Sequence, residues 1–149
     1  MTAMTKNRST KTVIKPDIVQ AYLETEYIVY ASDPFTLQIG KKSVALIHLH
    51  NAYSISSSAF MTACNPYSRM VDDETNKLRQ MALAAELLRR GIQYIKGGGR
   101  HPSNHWPVEE SFLIIGLNLD ESREMGRQLE QNAFVWTGED GIPELILLR

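Results

Sequence analysis

Apolar and polar positions change their period along this chain, and each change marks an element. After Lys15-Pro16-Asp17, the residues Ile18, Ala21 and Tyr22 fall three and four apart. This spacing predicts a short helix with proline in its first turn, where a missing N–H costs nothing. Residues 27–31 and 35–39 are rich in β-formers and flank Ser32-Asp33-Pro34, which predicts a hairpin. Val44, Leu46, Ile47, Leu49 and Tyr53 suit a helix capped by Ser43. Residues 58–64 read as a strand stopped by Asn65-Pro66. Residues 72–90 read as a helix, with Asp72, Asp73 and Glu74 at its positive end and Arg89 and Arg90 at its negative end. Leu78, Met81, Ala85 and Leu88 form its expected buried stripe, and Gly91 closes it.

The second half continues in the same manner. Residues 92–96 are an expected strand, followed by Gly97-Gly98-Gly99 and a polar connection. Residues 111–117 are apolar enough for a central strand. Asn118 with Glu121 three residues on forms a capping-box start for a helix buried through Leu119, Met125 and Leu129, with Gly126 permitting close approach. Residues 133–137 and 144–148 complete the strands. From 58 to 137 the order is β-α-β-β-α-β, the split-βαβ order of ferredoxin-like folds. The expected fold class is therefore α+β. It is an antiparallel sheet with a ferredoxin-like core, extended by an N-terminal helix and hairpin and a C-terminal strand. Strands 58–64 and 111–117 are expected in the middle.

Composition narrows the classes. The chain has 149 residues, 43% hydrophobic and 22% charged, with a formal net charge of −1. These values suit one globular domain. Four of the 16 basic residues, Lys6, Arg8, Lys11 and Lys15, lie in the first 15 positions, which hold no acid. We expect residues 1–14 to be a flexible basic tail and 15–149 a single α/β domain. Residues 16–149 carry 12 basic against 17 acidic residues, which disfavours extended nucleic-acid binding. A single cysteine, Cys64, excludes an intramolecular disulfide and fits a reducing cytoplasm. No apolar run approaches the roughly 20 residues of a membrane helix, so no membrane partner is expected.

The predicted topology gathers polar residues at one rim of the sheet. The end of strand 58–64 delivers Asn65 and Ser68, and the end of strand 92–96 delivers the glycines and Arg100. The next strand begins beside Trp106, Glu109 and Ser111, and the last core strand beside Gln131 and Asn132.

Several of these residues also carry a family resemblance. Its pieces are Ala59-Phe60 with Thr62-Ala63 and Asn65-Pro66-Tyr67-Ser68; Trp106-Pro107 with Glu109 and Ser111-Phe112; and Gln131-Asn132-Ala133-Phe134-Val135-Trp136. In order and spacing they resemble the bacterial family called domain of unknown function 3293, across roughly residues 20–148. Cys64 stands where that pattern often has an aromatic residue. The resemblance implies a small bacterial protein and implies no activity.

Each candidate group has two readings. Asn65-Pro66-Tyr67-Ser68 is either an anion-holding turn or a plain turn leading into the helix. Gly97-Gly98-Gly99-Arg100 is either a phosphate approach clamped by Arg100 or a flexible connection; it lacks the ending of a P-loop. His101 and His105 have metal-ligand spacing, but Pro102 and Pro107 argue against a continuous helix there, and no metal site is assigned. His48 and His50 read as surface groups. Glu109 is either the acid/base candidate, a carboxyl beside Trp106 at the start of a buried strand where burial raises pKa, or a carboxylate bonded to neighbouring backbone N–H groups. Ser68 and Ser111 have no partnered histidine, so a hydrolase triad is unsupported. The expectation is a cytoplasmic protein that binds a small polar or anionic ligand, nucleotide-like molecules included. Asn65, Ser68, Arg100, Trp106, Ser111, Gln131 and Asn132 would line the site. If the protein is an enzyme, Glu109 serves as acid/base and Arg100 as charge stabiliser. The alternative is a non-catalytic interaction or regulatory domain that pairs through a sheet face or edge.

Overall fold

The sequence periods resolve into α1 (Pro16–Glu24), β1 (Glu26–Val29), β2 (Phe35–Leu37), α2 (Val44–Ala52) and β3 (Ser58–Met61). A 3-10 turn (Pro66–Ser68) leads to α3 (Asp73–Arg89), β4 (Tyr94–Arg100), β5 (Glu109–Ile115), α4 (Leu119–Gln128), β6 (Ala133–Thr137) and β7 (Glu144–Leu147). The structure is a computed structural model and describes residues 12–103 and 107–149. Most of the N-terminal basic segment, with Lys6, Arg8 and Lys11, lies outside the described residues, as do His105 and Trp106.

Seven strands form one antiparallel sheet in the order β2-β1-β4-β5-β3-β6-β7. The β1–β2 hairpin extends it on one side and β7 on the other. Successive side chains on a strand leave opposite faces, and the register separates two cores. One face carries Met61, Phe112, Ile114, Phe134 and Ile146 against Leu83 and Leu87 of α3 and Met125 of α4. The other carries Tyr27, Val29, Phe60, Leu113 and Val135 with Leu46 of α2. The helix starts follow their caps. Ser43 accepts from Leu46 N and Asp72 from Thr75 N, and Asn118 forms a full capping box with Glu121. Ile14 is buried, and Thr12 Oγ1 donates to the Arg149 carbonyl at 2.8 Å.

Three expectations are corrected. The stripe Leu78, Met81, Ala85 and Leu88 does not face the core: Leu88 is 80% exposed, and Leu78 and Met81 also face solvent. The buried face of α3 runs instead through Gln80, Leu83 and Leu87. The cause is Gln80, whose Oε1 accepts from the backbone N–H of Ala63 at 2.9 Å. A polar residue that satisfies a strand end thus takes a core position. Leu87→Ala should therefore cost about 2–5 kcal/mol by urea denaturation, whereas Leu88→Ala should stay within about 0.5 kcal/mol.

The glycine run is also strand, not connection. Gly97, Gly98 and Gly99 pair with Val29, Ile28 and Tyr27 of β1 and with Ser111, Glu110 and Glu109 of β5. Pairing on both sides overrides the weak strand preference of glycine. Finally, His50 is buried, with Nε2 2.8 Å from Ser58 Oγ, and its burial lowers its pKa. Of the two histidines expected at the surface, His48 alone is exposed.

Candidate functional site

Beyond β3 the chain turns through a segment of unusual backbone. Asn65, Tyr67 and Ser68 all have positive φ, at 47°, 54° and 59°. Non-glycine residues in this region cost free energy and persist only where neighbours over-determine them. The constraints are visible. Asn65 N donates to Asn76 Oδ1 (2.8 Å), while Asn76 Nδ2 (2.9 Å) and Val71 N (3.1 Å) donate to Asn65 Oδ1. Tyr67 N donates to the Glu130 carbonyl at 2.7 Å, and the Arg149 guanidinium lies 4.2 Å over the Tyr67 ring. Ser68 Oγ meets the Tyr22 hydroxyl and accepts from Asn132 Nδ2 at 3.1 Å.

With Asn65 Oδ1 doubly occupied, its amide orientation is fixed and Nδ2 is left to donate elsewhere. It donates to Glu109 Oε2 at 2.8 Å. Glu109 opens β5 opposite Gly99, which in turn faces Tyr27 of β1. The three residues leave the sheet on one face. Because Gly99 has no side chain, the Tyr27 ring and the Glu109 carboxyl flank an opening. A Cβ at Gly99 would meet nothing closer than Thr25 Cγ2 at 3.6 Å.

Burial pushes the Glu109 carboxyl above the ordinary range, and the Asn65 amide partly offsets the shift. Burial likewise raises the Tyr27 phenol, with the Glu109 charge contributing. The Cys64 thiol is raised by burial and by the charges of Glu109 and Glu110, against the Thr62 hydrogen bond and Arg79. Cys64 is thus kept as a neutral thiol, unsuited to nucleophilic attack.

This opening belongs to a cavity of about 840 Å³ at the rim of the sheet, lined in part by Tyr22, Thr25, Asn65, Gly99, Glu109 and Gln131. Helix α1 forms one wall through Ile18, Ala21 and Tyr22. No residue of α1 is fully buried. Polar contacts tie the helix down: Tyr22 OH with Ser68 and Asn132, Tyr27 OH donating to the Tyr22 carbonyl at 2.6 Å, and Glu24 with His101 at 2.9 Å. Tyr22→Phe removes a hydroxyl shared by two partners. It should destabilise by about 1 kcal/mol and accelerate amide hydrogen exchange in α1 more than in α3.

The expected residues divide into groups. Asn65, Ser68, Glu109, Ser111 and Gln131 all line the cavity. Ser111 Oγ donates to the Glu109 carbonyl at 3.0 Å, and Gln131 Nε2 donates to the Cys64 carbonyl at 3.1 Å, so both also hold the walls. Asn132 stands behind Ser68 and accepts from Arg149 Nη1 at 3.2 Å. Arg100 is elsewhere. It follows Gly99 in β4 and therefore leaves the face opposite to Glu109, where it pairs with Glu26 at 2.6 Å. The expected charge stabiliser is thus separated from the expected acid by the sheet itself.

Tyr22, Thr25, Tyr27 and Asn76 were not among the expected site residues. The helical face of Ile18, Ala21 and Tyr22 was legible, but its place at this rim depends on β1 pairing with the glycine run. Among the described residues no cluster of three or more His, Cys, Asp or Glu suits a metal ion. A second cavity of about 550 Å³ lies at the other end of α3, near Leu88, Gly91 and Ile92, and gathers no carboxylate, histidine, lysine or arginine.

Comparison with known proteins bears on the same stretch of chain. Residues 61–134 match the family described as "Protein of unknown function (DUF3293)", from the end of β3 into β6, so the resemblance read from the sequence holds there. No curated protein and no solved structure matches the chain.

Proposed function

We propose that this chain, which carries the DUF3293 pattern, binds a small polar ligand in the rim cavity, with Glu109 as the group that exchanges a proton or hydrogen bond with it. We read the β3-α3-β4-β5-α4-β6 core as the ferredoxin-like arrangement that builds this rim. The observation that carries the proposal is the opening over Gly99, where a carboxyl held by an oriented amide faces space instead of a side chain. A protonatable carboxyl in such a place can donate to a ligand when neutral and accept when charged.

The charge of the walls selects among ligands. Asp17, Asp73, Glu109 and Glu110 line the cavity against Lys77 and Lys96, while Arg100 is paired outside it. An uncharged or cationic polar molecule fits this balance better than an anion does.

A thermal-shift screen of uncharged nucleosides, amides and polyols against the full chain tests this. A ligand at a hundredfold excess over its Kd stabilises the folded state by about 2.7 kcal/mol. Gly99→Val fills the opening without touching the hydrogen-bonding groups, so it should fold and lose the shift. A hit that stabilises Gly99→Val equally would overturn the proposal. A flat screen with a concentration-dependent dimer would favour the interaction-domain reading instead.

A further inference from the structure

The rim cavity does not end at Glu109. It continues past Cys64 to the other sheet face, between α3 and β4, where Gln80, Met81, Tyr94 and Phe112 contribute to its lining. Gln80 is 2% exposed. Its amide orientation is settled by chemistry, because the Ala63 N–H can only donate and therefore requires Oε1. Gln80 Nε2 is then a buried donor with no partner among the described residues. A buried donor left unsatisfied is costly, and native structures contain few of them.

We propose that Gln80 Nε2 is a second anchor of the same cavity and that it holds the carbonyl oxygen of an uncharged planar ring. This inference rests on the reading of the cavity as a ligand site and names the ligand class. The ring is argued from the wall. The Tyr94 and Phe112 rings lie with centroids 4.2 Å apart, tilted by 36°, and line the cavity together with Gln80. The charges around Gln80 favour a neutral ligand. Lys96 lies directly across from Phe112 in the register, and Glu110 leaves the same face two residues before Phe112. The charges of Lys96 and Glu110 are of opposite sign, as are those of Asp73 and Lys77 on α3, and all four residues line the cavity. A neutral amide donor satisfies a neutral carbonyl in such surroundings, whereas burying an anion there would lack a dedicated cation.

The test uses the full-length 15N-labelled chain titrated with uracil, 2-pyridone and nicotinamide, with indole as a planar ring lacking a carbonyl and benzoate as an anion. The Gln80 side-chain amide pair should shift saturably with the three carbonyl rings and stay still with indole. Gln80→Leu removes the donor without adding an ionisable group, so it should weaken binding at least tenfold. If that variant fails to fold, Gln80→Met serves in its place, with the same expected loss. Shifts at Thr25 and Gly99 without any at Gln80 would overturn this inference and leave the Glu109 reading standing. Tighter binding of benzoate than of uracil at Gln80 would overturn the neutral assignment. No shift at either end would overturn both.

Discussion

Gly97→Ala should destabilise the chain by about 3 kcal/mol or more, whereas Gly99→Ala, two residues along the same strand, should change stability by less than about 1 kcal/mol. A Cβ at Gly97 would stand 2.5 Å from the Ile28 carbonyl oxygen and 2.8 Å from the Phe60 ring. The first is backbone within the β1–β4 pairing and cannot retreat without breaking the ladder. The second is a core ring packed edge-on against Tyr27, with centroids 5.3 Å apart. At Gly99 the nearest atom is the Thr25 methyl at 3.6 Å, an ordinary contact. Gly98 should fall between the two, because its closest neighbour is Val108 Cγ1, a side chain that can move. Urea midpoints for the three alanine variants would rank the positions. Equal losses at all three would contradict the role assigned to the glycine run, which is to let the Phe60 ring pack against the middle of β4 and leave the strand open at Gly99.

Glu109→Gln should raise stability relative to the parent chain at neutral pH, and the difference should close as the pH falls. In the folded chain the Glu109 carboxyl keeps its proton to higher pH than in the unfolded chain, because burial disfavours the charge. The folded state therefore binds more protons between the two titrations, and stability falls with rising pH across that window. The stabilising contribution is complete below the ordinary carboxylate value and is lost as the pH passes the folded one. Glutamine carries no such slope, and Asn65 Nδ2 can still donate to its oxygen. The remaining carboxylates are common to both chains and cancel in the comparison. A stability difference that widens toward acid pH would show that the Asn65 hydrogen bond outweighs burial and that Glu109 is held ionised.

Legibility from sequence followed the range of the interactions involved. The caps at Ser43, Asp72 and Asn118 were legible because each side chain satisfies backbone groups within a few residues. The α3 stripe was not. The set Leu78, Met81, Ala85, Leu88 and the set Gln80, Leu83, Leu87 both have helical spacing, and apolar content favours the wrong one. Only the distant Ala63 N–H explains why a glutamine is inside. Arg100 was misplaced for a similar reason. Reading the strand as ending at residue 96 put Arg100 on a loop free to reach Glu109. The pairing with β1 carries the strand through Arg100 and turns it to the opposite face. By contrast, the convergence of Asn65, Glu109 and Gln131 is legible from the strand order, since three strand ends meet at one rim, although the turn that aims Asn65 at Glu109 is not.

The most direct measurement is the pH titration of the Glu109 carboxyl carbon by NMR, in the parent chain and in Asn65→Asp. That variant keeps the oxygen facing Asn76 and Val71 but replaces the amide donor facing Glu109 with a second carboxyl oxygen. The Glu109 midpoint should lie above the ordinary glutamate value of about 4.3 and rise further in Asn65→Asp. A midpoint at or below the ordinary value, unmoved by that substitution, would contradict the role proposed for Glu109.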